Sequence, residues 1–194
     1  MASDVKEDLA VIRALLNENA TEEGRVASRK FVPSSERVYG VRLPILNGIA
    51  TQFKKRGFGI VKELWSCGAF EERLIAAKIL GAIGRMDTDT ALTLIREFVP
   101  DIRDWAVCDT LATQGVRSIV KSKRDELMAL SQELTGSPKF WQRRFGIVLL
   151  TNYVKDKNAR PEIFRIVDRL RTDREHYVRK AVDWLLRDLG KTSP

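Results

Sequence analysis

Histidine is almost missing from this 194-residue chain, and cysteine is scarce. The one histidine, His176, and the two cysteines, Cys67 and Cys108, give no metal-ligand spacing and no Ser–His or Cys–His nucleophile system. His176 reads as an ordinary residue in the first turn of the last helix. No glycine-rich motif of the kind that cradles phosphates is present. Long apolar runs are lacking too, so no segment reads as a membrane span. The opening MASDVKEDLAVIRALL is charged and has no apolar core of a signal peptide. These absences predict a cytoplasmic protein with reduced cysteines, no metal and no cofactor.

What is present is charge and helical periodicity. The chain is 44% hydrophobic and 31% charged, enough to bury a core in one domain spanning residues 1–194. Its net charge is +8, and the excess is uneven: residues 1–100 carry 15 basic and 13 acidic side chains, residues 101–194 carry 19 and 13. A basic balance suits nucleic acid or an anionic surface, although net charge alone is weak evidence.

Almost every segment reads as helix. Asp4 is placed to cap a first helix built on Val5, Leu9, Ile12 and Leu16. Glu36 to Leu43 reads as extended or looped, and Pro44 suits the first turn of a helix to about Arg56. Gly57 and Gly59 break it, and a short helix to Trp65 follows. Further helices are expected over about Ala69–Gly84, Asp87–Phe98, Asp101–Thr113, Lys123–Leu134, Pro138–Val154, Pro161–Arg171 and Arg174–Leu189. From residue 69 the helices come in pairs of about 35 residues. That period predicts an all-α fold, an α-solenoid of HEAT-like hairpins, with a compact bundle as the alternative.

The last helix carries an apolar stripe of Val178, Ala181, Val182, Leu185, Leu186 and Leu189. Trp184 lies outside it, among Tyr177, Lys180, Arg187 and Lys191. An indole among cations suits a surface that meets nucleic acid, cations for phosphates and a flat face for sugars or bases. Packing against a neighbouring helix or a subunit would account for it equally. Trp105 and Asp109, four apart, share one helix face, while Val107 and Leu111 point to a core. Asp109 beside an indole is either an electrostatic stabiliser for a cation or a surface carboxylate bonded to an arginine. In Phe140-Trp141-Gln142-Arg143-Arg144, Trp141 and Arg144 share a face and Arg143 is turned away by roughly 100°. An arginine on a mostly apolar helix pairs with a carboxylate, Asp109 being one choice, or reaches an anionic ligand.

These segments, in order, resemble the DNA alkylation repair family of HEAT-like-repeat DNA glycosylases, the AlkD type. The resemblance is carried by Tyr39-Gly40-Val41-Arg42-Leu43-Pro44, Glu63-Leu64-Trp65, Trp105-Ala106-Val107-Cys108-Asp109-Thr110, Trp141-Gln142-Arg143-Arg144 and Lys180 through Lys191. It implies a concave basic groove holding duplex DNA, and excision of N3- and N7-alkylated purines without strand cleavage and without drawing the lesion into a deep pocket. By position it makes Asp109 the catalytic aspartate, Trp105 and Trp184 the indoles flanking the lesion's deoxyribose, and Arg144 a groove arginine on the DNA backbone. Phe31 falls about where the family has another groove aromatic. Lys180 and Arg187 are expected phosphate contacts by local reasoning. The expected partner is double-stranded DNA containing alkylated purines, bound by a monomer. The family usually continues into another helical segment after the Trp184 helix, where this chain stops. Two other readings compete: a non-catalytic relative that binds damaged or branched DNA, and a protein-interaction scaffold without salt-dependent DNA affinity.

Overall fold

The computed structural model describes residues 2–33 and 37–191, with side chains from Val5 onward. Every regular element among them is helical. After α1 (Ala2–Glu18) and α2 (Glu22–Phe31), residues 37–42 have no regular structure. Then come α3 (Leu43–Phe53), α4 (Phe58–Ser66), α5 (Phe70–Ile83), α6 (Thr88–Phe98) and α7 (Trp105–Thr110). The chain closes with α8 (Arg124–Thr135), α9 (Phe140–Leu149), α10 (Arg160–Leu170) and α11 (His176–Lys191). No described helix is long and apolar enough to cross a membrane.

Packing follows a simple order. α3 touches α5, α5 touches α7, α7 touches α9, and α9 touches α11, so every second helix joins one row. Against this row lie α4 on α5, α8 on α9 and α10 on α11, while α1 covers α3 and α4. Such helix-on-helix layering, with contacts mostly between near neighbours, fits an α-helical repeat. α5 is packed by α3, α4 and α7 together, and its sequence LIAAKILGAI is accordingly apolar on nearly all sides, with Leu74 to Gly81 all buried. The apolar stripe of α11 is buried at Val178, Ala181, Val182, Leu185 and Leu189 on the preceding helices.

Several elements differ from the sequence expectation. α1 already runs at Ala2, so Asp4 lies inside it rather than capping it. Helix α2 is unexpected because it buries none of its residues, and so has no apolar stripe to reveal it. Its ends are set instead by Thr21, whose hydroxyl accepts from the Gly24 N–H, by Glu22 and Glu23 in the first turn, and by Arg29 and Lys30 in the last. The helix expected from Asp101 starts at Trp105, because Pro100 lies in a 3-10 turn and Ile102 is extended. Its end is a π-helical turn, Leu111–Gly115, where the chain admits one extra residue per turn. α9 gives way after Leu149 to a 3-10 turn, and α11 runs through Gly190 to Lys191. Glu36, the start of the expected extended stretch, lies outside the described residues.

The segment before α3 is fastened by buried carboxylates. Glu71 and Glu72, at the start of α5, are both fully buried. Glu71 accepts the backbone N–H groups of Tyr39 at 2.9 Å, Gly40 at 2.7 Å and Val41 at 3.3 Å. Glu72 accepts the Tyr39 hydroxyl at 2.8 Å and Arg13 Nε at 3.0 Å. Burial and the Glu72 carboxylate push the Tyr39 hydroxyl up to about 12. Gly40, at φ +82°, lies so close to α2 that a Cβ on Gly24 would come 2.0 Å from the Gly40 carbonyl oxygen.

Gly81 sets the approach of α5 to the π-helical turn. A Cβ there would stand 1.7 Å from the Gln114 carbonyl oxygen, a backbone atom that no rotamer change can move. Gly81→Ala is therefore expected to destabilise the fold by about 3 kcal/mol in urea denaturation. An unchanged midpoint would mean that the two elements part without cost.

Candidate active site

Helix α7 is short, and its start is fixed by chemistry. Asp104 is extended (φ −143°, ψ 163°), and its buried carboxylate accepts the Val107 N–H at 2.8 Å, an N-cap. Val107, Cys108 and Leu111 are buried behind the helix. That leaves Trp105 and Asp109, one turn apart, on its half-buried side.

Asp109 is held by Arg144 of α9 through two parallel bonds, Nε to Oδ1 at 2.9 Å and Nη2 to Oδ2 at 2.7 Å. The remaining guanidinium nitrogen, Nη1, donates to the Tyr177 carbonyl of α11 at 2.6 Å. One arginine thereby ties α7, α9 and α11 together. Its side chain is 7% exposed and that of Asp109 18%. Burial raises the Asp109 carboxyl above the ordinary aspartate range, and the Arg144 pair offsets only part of that. The pairing shows what the arginine on the apolar helix does with its charge.

The aromatic residues frame this pair. Trp105 donates its indole N–H to the Phe31 carbonyl at 2.8 Å, which brings the end of α2 to the start of α7. The Phe31 ring itself is 63% exposed. Trp141 packs between Phe140 and Tyr177, with ring centroids 4.6 and 4.9 Å away. Its carbonyl accepts the Cys108 thiol. Arg143, turned away as expected, makes its own pair with Asp173 ahead of α11, at 2.7 and 3.0 Å. The fourth tryptophan, Trp65, is buried and stacked on Phe98 at 4.3 Å.

Trp184 stands two turns after Tyr177 on α11, about 10 Å along the axis and on nearly the same face. It is half-buried against the core, and its N–H donates to Asp188 of its own helix at 2.7 Å. Lys191 holds the other Asp188 oxygen at 2.9 Å. Lys191, Trp184 and Arg187 together keep that carboxyl below the usual range. Lys180 and Arg187 are exposed on the same helix.

Phe31 is thus bonded to Trp105, and Asp109 to Arg144 and through it to α11, the two sets being joined by α7 itself. Trp184, Lys180 and Arg187 join them only through α11. Sequence reasoning did not find the Tyr177 carbonyl or the Asp104 cap. A backbone acceptor leaves no residue-type signal. The cap was visible as Asp104 three residues before Val107.

The model of a family described as DNA alkylation repair enzyme matches residues 12–194. No curated protein matches the chain. The solved structure of a predicted DNA alkylation repair enzyme from Enterococcus faecalis matches with a TM-score of 0.74 at 18% identity. The match covers 90% of this chain and 84% of that one, a likeness of fold.

Removing the cation from this pair leaves a largely buried carboxylate without its partner. Arg144→Met is expected to cost about 3 kcal/mol in urea denaturation. Adding Asp109→Leu to it is expected to recover most of that loss. A double variant as unstable as the single one would show that packing, not charge, is what Arg144 contributes.

Proposed function

The chain belongs to the DNA alkylation repair enzyme family, and we propose that within it the protein is a monofunctional DNA glycosylase. Its substrates are cationic N3- and N7-alkylated purines in duplex DNA. The observation that carries this reading is the Asp109 carboxylate, gripped at both oxygens by a buried arginine and one helical turn from Trp105.

An alkylated purine already bears a positive charge, so its glycosidic bond breaks without a strong general acid. The bond electrons pass to the departing base, which leaves neutral, and positive charge develops on the sugar as in glycoside hydrolysis. A fixed carboxylate nearby stabilises that charge where water is largely excluded. The water oxygen then bonds to the anomeric carbon, and Asp109 takes the released proton. Trp105 and Trp184 hold the deoxyribose by its C–H faces and favour the cation through their π systems. No lysine nucleophile is needed, so the strand stays intact.

Arg144 serves here as a positioning residue. A guanidinium has five N–H donors, and three are engaged by Asp109 and Tyr177. In this reading the other two would reach a backbone phosphate. Lys180, Arg187 and the exposed Phe31 would meet the duplex on either side, along a basic groove formed by the helical row.

Release of free base from duplex DNA carrying one 7-methylguanine tests the reading. Asp109→Asn is expected to slow single-turnover release by about 100-fold or more. Absence of release by the wild type, with salt-sensitive DNA binding intact, would make the protein a non-catalytic DNA binder.

The pH dependence has a definite sign. The rate requires ionised Asp109, so enzyme-catalysed release should fall on acidification at a pH above the ordinary aspartate value of 3.8. Stability runs the other way. A carboxyl raised by folding contributes most below its unfolded value, and that contribution is lost as pH rises through the raised one. A rate midpoint at or below 3.8 would show that burial does not control this group.

A further inference from the structure

Lys78 is the one lysine in the apolar run of α5, and it is 8% exposed. A lysine this buried normally has a carboxylate partner. Here its ammonium donates to a neutral acceptor, the Gln114 side-chain oxygen, at 2.8 Å. Among the described residues it makes no ion pair. Its charged neighbour is another cation, Arg117, whose Nε bonds the Gly81 carbonyl at 3.1 Å. Burial, followed by Arg117, depresses the lysine's pKa, the mark of a charge that the fold leaves uncompensated.

The space in front of these groups is open. A cavity of about 310 Å³ is lined by Asn47, Thr51 and Lys54 of the α3 end, by Lys78, and by Gln114 and Arg117. An adjoining hollow of about 720 Å³ shares Lys54 and Arg117 and adds Lys55 and Arg85. No carboxylate lines either one. The walls are also built with care. The π-helical turn carries Gln114, Arg117 follows it, both bond to α5, and Gly81 allows the backbones to come together. A π-turn inserted into a helix is a frequent companion of functional sites.

We infer that Lys78, Gln114 and Arg117 form a phosphate-binding site, distinct from the Asp109 site, that takes a backbone phosphodiester of bound DNA. The missing negative charge comes from the ligand, Gln114 orients the ammonium, and Lys54 closes the rim. Asp109 and Arg117 lie eight residues apart in the chain, one before the π-helical turn and one just after it. A strand crossing the helical row can therefore engage both. The inference rests on DNA as the substrate, but it needs no base excision.

The test uses the full chain, with Lys78→Met and the exposed-residue variant Arg117→Gln, and a labelled undamaged duplex titrated at several salt concentrations. Each variant is expected to bind roughly tenfold more weakly, with the logarithmic salt slope shallower by about 0.9, the loss of one phosphate contact. Lys78→Met should melt at or above the wild-type temperature, because it removes an unpaired buried cation. Unchanged affinity and slope in both variants would overturn the site. So would a marked fall in the melting temperature of Lys78→Met together with unaltered binding by Arg117→Gln, since Lys78 would then be structural. Inorganic phosphate supplies a second arm. If it raises the wild-type melting temperature but not that of Lys78→Met, while duplex binding is unaltered, the ligand is a free phosphate and the strand assignment fails. Wild-type release of 7-methylguanine, run in parallel, separates this question from catalysis. Weakened binding by the variants beside a wild type that releases no base would sink the glycosylase and leave the phosphate site standing.

Discussion

The bidentate pair between Arg144 and Asp109 is the interaction on which the arrangement of the site depends. Three helices of one row converge on a single guanidinium, which meets a carboxylate of α7 and a carbonyl of α11. An isolated carboxylate at that depth would shed its charge by taking a proton. With Arg144 beside it, ionisation becomes affordable but not free, which is the state that a stabiliser of transient positive charge requires. The geometry of the pair also fixes the orientation of Asp109 relative to Trp105, because both oxygens are held.

Buried charge is used in two ways in this molecule. At the start of α5, Glu71 and Glu72 are surrounded by donors and serve to pin the chain ahead of α3. One oxygen of Glu72 is the exception, buried without a hydrogen-bond partner. Four residues after Leu74 on the same helix, Lys78 is buried with a single neutral acceptor. The contrast within one helix is informative. Folding needs the first arrangement, whereas the second costs stability and makes sense where something outside the chain completes it.

Legibility in the sequence followed burial. α10 and α11, whose apolar residues recur on one face, were readable from periodicity. The pairing was not, since α8 packs on α9 and α10 on α11 rather than each helix of residues 69–171 on the one that follows it in the expected pairs. α2 was not, since nothing in it is buried and its ends are written in caps and charges. The π-helical turn was invisible because residues 111–115 have no composition that distinguishes it from a continuing helix. At the site, the shared face of Trp105 and Asp109 came from spacing, and Arg144 was conspicuous as a cation on an apolar helix. The Phe31 to Trp105 bond and the Tyr177 carbonyl depend on backbone atoms far away in the chain, which spacing cannot reveal. Lys78 was within reach by the same reasoning that singled out Arg144.

The bond from Trp105 to Phe31 spans 74 residues, in a fold whose more extensive helix contacts join near neighbours. Closing so long a loop carries an entropic cost that is recovered only after the intervening helices have stacked. Contacts between successive members of the row are expected to form first on this account, with α2 settling later onto a surface already assembled. Because α2 buries none of its own residues, its attachment is expected to be among the first released when the molecule opens. The rim of the site at Phe31 is thus carried by an element outside the firmly packed row, and it can loosen without unfolding what lies behind it.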